Sequence, residues 1–196
     1  NYIVENNIRV FTSKYEKYKR DYFDEDEEFI VEKYLKGKKI LVLGCGAGRT
    51  LLPLYQKGYD VTGIDITPKM IEEAQKKIAG LSIKVLLMDA CNLKFADNTF
   101  DCVFFPFHGI DCIYPNIYTA VLEAKRVMKP TGTFSFSSHN RLYIRKIHRF
   151  FEGTYTNYGG LAMYRSTFLD YFRLRKYFNK VKMIQRISRK KQWTAL

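Results

Sequence analysis

The sequence predicts an α/β fold: a doubly wound sheet, mostly parallel with an antiparallel C-terminal strand, and helices on both faces. Three observations carry that prediction. Short apolar runs alternate with helix-like segments over residues 39–138, and this alternation builds parallel sheets covered on both sides. The run Ile40-Leu41-Val42-Leu43 stops at Gly44-Cys45-Gly46-Ala47-Gly48, and Thr50-Leu51-Leu52-Pro53-Leu54-Tyr55 then reads as a helix. The next apolar run ends in an acid, Asp65, about 20 residues beyond the glycine turn, as a ribose-binding carboxylate does in nucleotide-binding sheets.

The elements follow in order. Residues 11–36 read as helical, with Tyr15, Tyr18, Tyr22 and Phe23 spaced for one face. The acids Asp24 to Glu28 suit the start of a second helix over 28–35, because carboxylates favour helix N-termini, and Gly37 ends it. Strands are expected at 39–44, 60–65, 83–88, 100–107 and 133–138, and helices at 49–57, 68–79 and 116–128. Beyond Asn140 the pattern loosens. A basic amphipathic helix over 141–151, a loop over 152–160, a helix over 166–177 capped by Ser166, and an antiparallel strand over 181–187 are expected. Only 192–196 remains for a short last strand.

A chain of 196 residues with 46% hydrophobic composition fits one domain with a real core. Within it, 1–36 forms an N-terminal helical cap, 38–140 the ligand-binding core, 141–165 a basic insertion, and 166–196 a closing helix and strand. No apolar run approaches the roughly 20 residues a membrane helix needs. The opening Asn1-Tyr2-Ile3-Val4-Glu5 has no signal-peptide pattern, so a cytoplasmic protein is expected. Cys45, Cys91, Cys102 and Cys112 lack Cys-x-x-Cys spacing and are expected as reduced thiols, with no metal site.

The glycine turn selects the ligand. Dinucleotide sites use Gly-x-Gly-x-x-Gly, but here glycines stand at 44, 46 and 48, and Arg49 takes the place of the third. The ribose logic of Asp65 holds while the pyrophosphate logic is weakened. A ligand with a ribose and no pyrophosphate fits better than NAD.

At this point the chain resembles the class I S-adenosylmethionine-dependent methyltransferases, closest to the small-molecule group of ubiquinone/menaquinone type, over residues 38–140. Gly44 to Gly48 is similar to the first motif, and Asp65-Ile66-Thr67-Pro68-Lys69-Met70 to the acid-then-helix motif. Met88-Asp89-Ala90, Phe100-Asp101-Cys102-Val103 and Glu123 to Gly132 resemble the three that follow. Two positions depart: Val42 stands where the family often carries an acid, and Thr131 replaces a glycine.

The resemblance implies a Rossmann-like sheet, S-adenosylmethionine as cosubstrate and S-adenosylhomocysteine as product. Ligands of open α/β sheets lie beyond the carboxyl ends of the strands. The resemblance places Gly44, Cys45, Gly46 and Gly48 in the turn beneath the cosubstrate and Asp65 on the ribose diol. Ile66 and Met70 flank the adenine, Asp89 and Ala90 meet its edge, and Arg49 is a candidate for the methionine carboxylate. Phe105 and Phe107, at the end of the fourth strand, complete the cosubstrate-binding set.

His108 and His139 end neighbouring strands, so either is a candidate general base, an imidazole titrating near pH 6.5. Ser138 and Asn140 are placed to orient an acceptor, and Tyr155, Tyr158 and Tyr164 to roof it. Alignment alone can supply much of the barrier reduction, on the order of 7–11 kcal/mol.

The chain carries +13, and residues 141–191 hold fourteen Lys or Arg against Glu152 and Asp170. That quarter reads as a solvated basic face, as a site for an anionic small molecule or lipid surface, or as an RNA-binding face. The expected activity is methylation of oxygen, nitrogen or carbon in a small acceptor. Methylation of RNA and non-catalytic cosubstrate binding are the alternatives.

Overall fold

The computed structural model describes residues 1–113, 117–138, 155–158, 161–164, 174–178, 183–186 and 192–195. Five strands form the parallel core: β1 (Lys39–Leu43), β2 (Asp60–Asp65), β3 (Lys84–Leu87), β4 (Phe100–Phe105) and β5 (Met128–Ser138). Their order is β3-β2-β1-β4-β5. Lys39 pairs with Asp60, Ile40 with Cys102, and Phe105 with Phe136. The chain therefore reverses its winding direction at β1, which puts a crevice at the carboxyl ends of β1 and β4. Two hairpin strands, β6 (Tyr155–Tyr158) and β7 (Leu161–Tyr164), pair with each other. Strand β9 (Gln192–Ala195) lies antiparallel to β5, and β8 (Met183–Arg186) antiparallel to β9.

Strand β1 is buried on both faces, which explains its unbroken apolar run. Leu41 and Leu43 join a core with Val103, Phe105, Ala120, Val121 and Ala124. Ile40 and Val42 join the opposite core with Ile30, Val31, Leu51, Leu54, Ile71 and Ala74. The first core is covered by α5 (Ile117–Val127). The second is covered by α2 (Glu25–Tyr34), α3 (Leu51–Gln56) and α4 (Pro68–Lys77).

The N-terminal region departs from expectation. Helix α1 spans Tyr2–Ser13, capped by the Asn1 side chain, and the helix stops where one was expected to begin. A 3-10 turn follows at Tyr15–Tyr18, and residues 19–24 run without regular structure to α2. The tyrosines do not form a helix face because tertiary partners claim them singly. Tyr15 lies under the ammonium groups of Lys19 and Lys69, at 4.7 and 5.1 Å from its ring centre. Tyr18 packs edge-on to Phe11 and Phe107, at 5.7 and 6.3 Å. Helix α2 starts earlier than expected because Glu27 accepts the Asp24 N–H at 2.9 Å, one half of a capping box.

Two sequence motifs serve the fold at the end of the sheet away from the crevice or beside it. Asp101 accepts the N–H groups of Lys38 and Lys39, at 2.9 and 2.8 Å, and the Lys129 ammonium at 2.7 Å. It thereby ties the starts of β1, β4 and β5. Arg126 bonds Glu123, the carbonyls of Leu93 and Phe95, and Asp97, pinning the long connection from β3 to β4 onto α5. The helix expected over 141–151 lies outside the described residues; of the one expected over 166–177 only 174–177 are described, one helical residue and a turn, and the loop expected over 152–160 contains β6 instead.

Candidate active site

The glycine turn is shaped by its surroundings. Gly44, Gly46 and Gly48 all have positive φ, at 59°, 55° and 85°, a region that costs other residues roughly 1–2 kcal/mol. A Cβ at Gly44 would stand 2.8 Å from the Phe105 ring, whereas one at Gly46 would meet only Met70 Sδ, at 4.0 Å. Cys45 and Ala47 turn into the core while Gly44 is exposed and Gly46 partly so. The turn thus presents bare backbone at the carboxyl end of β1. Cys45 donates its N–H to Ile64 at 2.8 Å, and burial, then the charge of Asp65, pushes its thiol well above the ordinary range. It is an inert packing group.

Asp65 closes the turn from the β2 side. One carboxylate oxygen accepts the Gly46 N–H at 2.9 Å and the other the Thr67 N–H at 2.8 Å. Burial raises its pKa, and the backbone donors of Thr67 and Gly46 pull it back. The Ile66 backbone acts on the same carboxylate, so Asp65 is well supplied with internal donors where it ends β2. Ile66 is 38% exposed beside it, while Met70 is buried under Gly46. Asp89 is exposed and accepts the Cys91 N–H at 2.8 Å. These positions suit a nucleoside: open glycine backbone, a strand-end carboxylate, an exposed apolar side chain and a second exposed acid.

Five expectations are corrected. Met70, expected to flank the adenine, is 2% exposed and lies beneath Gly46 instead. Phe105 is a core residue wedged beneath Gly44 and Gly109, not a lining residue. Ala90 is likewise buried in that core. Arg49 does not face the crevice alone: its guanidinium is buried and grips Glu27 at 2.7 and 2.5 Å and the Tyr22 carbonyl at 2.9 Å. Burial opposes its charge, but the bonds and charge of Glu27 outweigh that and raise its pKa.

The fifth correction concerns His108, which is 6% exposed. Phe107 and His108 both adopt left-handed backbone, at φ 53° and 58°, and this double turn leaves Phe107 48% exposed while His108 is buried. The His108 N–H donates to Ser137 Oγ at 2.9 Å. Beside it, Ser138 is committed to Asp111, at 2.6 Å and fully buried. His139, Asn140 and the side chains of Tyr155, Tyr158 and Tyr164 lie outside the described residues. The backbone of β7 runs against α1 and the 3-10 turn Gly109–Cys112, and so near the end of β4.

A narrow cleft with room for about one water lies at the start of α2 and the ends of β4 and β5. It is lined by Ile30, Phe104, Pro106, Phe107, Phe136 and Ser137, with Asp24, Asp26 and Glu27 from the start of α2. Sequence reasoning missed this contribution. The spacing of Asp24 and Glu27 announces a capping box, but nothing in it announces that Glu27 also reaches Arg49. Burial raises the Cys112 thiol to about 12. Among the described residues no cluster of His, Cys, Asp or Glu is arranged to hold a metal ion, and no helix is long and apolar enough to cross a membrane.

Comparison with known proteins agrees with this geometry. Residues 40–132 match a family described as a methyltransferase domain. A demethylmenaquinone methyltransferase of Staphylococcus aureus is 37% identical over 101 residues, covering 50% of this chain and 41% of that protein. A sterol 4-C-methyltransferase of Caenorhabditis elegans is 34% identical over 98 residues, covering 48% and 29%. The matched region is less than half the length of these relatives. Among solved structures, a SAM-dependent methyltransferase from Methanosarcina mazei superimposes with a TM-score of 0.68 at 22% identity, covering 89% of this chain and 96% of that one. The PH0226 protein of Pyrococcus horikoshii gives 0.67 at 22%, covering 86% and 85%.

Proposed function

We propose that residues 40–132, which match a methyltransferase domain, form a class I S-adenosylmethionine-dependent methyltransferase, and that the protein methylates oxygen, nitrogen or carbon of a small molecule. The observation that carries the reading is the pairing of Asp65 with Gly46 across an exposed glycine turn. It sets a strand-end carboxylate beside bare backbone at the crevice. When bound, S-adenosylmethionine supplies an electrophilic methyl carbon on a sulfonium. Asp65 holds the ribose, Gly44 and Gly46 admit the ligand against the backbone, and Ile66 and Asp89 receive the adenine, with Met70 supporting the turn from below.

The groove at the ends of β4 and β5 is the proposed acceptor site. Its exposed apolar wall is Phe107, with Ile30, Phe104 and Phe136 buried behind it as core, and an apolar acceptor is proposed to lie against that ring. Its carboxylates favour an O–H or N–H donor over an anion, so this lining argues against the anionic acceptor expected from charge alone. Apolar acceptors also fit the names of the menaquinone and sterol relatives. Arrangement of acceptor and donor, rather than a buried imidazole, is the proposed source of rate.

Calorimetric titration with S-adenosylhomocysteine and NAD tests the cosubstrate. Binding of the first and not the second is expected, and tighter NAD binding overturns the assignment. Transfer of labelled methyl to a panel of apolar hydroxyl and amine compounds tests the acceptor class. A second reading, methylation of RNA, draws on the charge of residues 141–191. Under it, tRNA binding is measurable and weakens steeply with salt.

A further inference from the structure

Residues 14–24 cross the crevice as a strap. At one side, Lys19 pairs with Glu73 at 2.9 Å and Tyr15 lies under Lys69, both on α4 beyond β2. Lys77, also on α4, pairs with Asp21 at 2.6 Å. At the other side, Tyr18 packs on Phe107 beyond β4. Since β1 lies between β2 and β4, the strap spans the glycine turn. The pairs on α4 are surface contacts, individually weak and screened by salt.

One mooring differs in kind. Arg49, next to Gly48, is 8% exposed and Glu27 7%. Their bond is bidentate, and the same guanidinium binds the Tyr22 carbonyl of the strap and lies 4.8 Å from the Phe107 ring centre. Glu27 Oε2 also accepts the N–H of Asp24, where the strap ends. Thus a single side chain joins the turn, the strap, the start of α2 and the wall of the groove. A planar fork can do this; a lysine cannot.

We propose that the Arg49–Glu27 pair is a latch that holds the strap shut across the carboxyl ends of β2, β1 and β4. Arg49 is then a positioning residue whose grip sets how fast cosubstrate leaves, rather than a contact to the methionine carboxylate. The second half of this inference rests on the cosubstrate reading given above; the first half does not.

The test uses the whole chain with Arg49→Lys, Glu27→Gln and the double variant Arg49→Met/Glu27→Met. The double variant keeps an apolar pair in place and avoids a stranded buried charge. Tryptic cleavage at Lys14, Lys17, Lys19 and Arg20, without ligand, reads the strap. Stopped-flow release of S-adenosylhomocysteine reads its consequence. Cleavage is expected to accelerate at least tenfold in each folded variant, and release to quicken at least tenfold with it. Unchanged cleavage in the double variant overturns the latch, whether or not any ligand binds. Faster cleavage with release within twofold of the unaltered protein overturns the role of Arg49 in retention. Failure of the unaltered protein to bind S-adenosylhomocysteine counts against the cosubstrate reading, and with it the retention role, while cleavage still decides the latch.

Discussion

Asp65 receives the Gly46 N–H at 2.9 Å on one oxygen and the Thr67 N–H at 2.8 Å on the other, so the end of β2 and the turn after β1 share one carboxylate. That bond fixes the turn before any ligand arrives. Asp65→Ala removes both the brace and the diol acceptor. It should weaken S-adenosylhomocysteine by about 2–4 kcal/mol, as expected when hydrogen bonds to a charged, partly buried group are lost. Calorimetry reads this directly, and a loss of a few tenths means that Asp65 only caps α4. The same site predicts a pH trend. Burial raises the Asp65 pKa above the ordinary value of about 3.9. Folding therefore takes up a proton between the two values, so this group costs stability as pH rises through that window. A diol prefers the ionised form, so affinity should strengthen as pH climbs past the raised pKa and lose that slope in Asp65→Ala.

Gly46 and Gly80 separate backbone cost from ligand clearance. Both have positive φ, 55° and 81°, and a Cβ at either finds space within the protein. Gly46→Ala and Gly80→Ala should each cost on the order of 1–2 kcal/mol of stability, a few degrees of melting temperature. Only Gly46→Ala should also lower S-adenosylhomocysteine affinity, by tenfold or more, because it stiffens the turn that the proposed ligand approaches while Gly80 lies outside it. Equal affinities in the two variants would remove Gly46 from the site.

Much of this was legible from the sequence. The glycine run, Asp65 and the strand alternation locate the crevice, because glycine freedom and strand-end acids are local signals. The cap was not legible. Tyr15, Tyr18 and Tyr22 look like a helix face until Lys69, Phe107 and Arg49 claim the strap, and those partners lie far along the chain. Arg49 looked available for a carboxylate ligand because its carboxylate, Glu27, sits 22 positions earlier. His108 looked accessible because nothing in its sequence announces consecutive left-handed residues. Asp101 and Arg126 fall in the motifs that resemble a fourth-strand entry and the run before a fifth strand, and they serve the strand starts and a connection.

Asp101 allows that role to be measured. The Lys129 hydrogen bond, then the N–H groups of Lys39 and Lys38, lower its pKa to about 2. A depressed carboxyl adds stability that is present above its unfolded value and is lost as pH falls toward 2. Because Lys129 is partly exposed, the expected contribution at neutral pH is discounted to about 1–2 kcal/mol. Asp101→Asn should lose this in denaturant unfolding at pH 7 and nearly match the unaltered protein below its folded pKa, with S-adenosylhomocysteine affinity unchanged at pH 7. Lost affinity there would place Asp101 in the ligand machinery.

His108 provides the sharpest test of how transfer is driven. A general base must reach the proton it removes, and losing one costs about 10²–10⁴ in rate. Yet His108 is 6% exposed, its backbone N–H is held by Ser137, and it is absent from the groove wall that Phe107 forms. Its left-handed φ of 58° argues for asparagine as the replacement, since asparagine accepts that conformation better than most residues. His108→Asn should therefore keep turnover within tenfold on any acceptor found in the labelled-methyl screen. Its rate should also show no limb near pH 6.5, the imidazole range. Phe107→Ala should instead raise the acceptor KM severalfold, because it removes exposed apolar wall. A hundredfold fall in His108→Asn, with cosubstrate affinity intact, would restore the histidine as base and displace alignment as the source of rate.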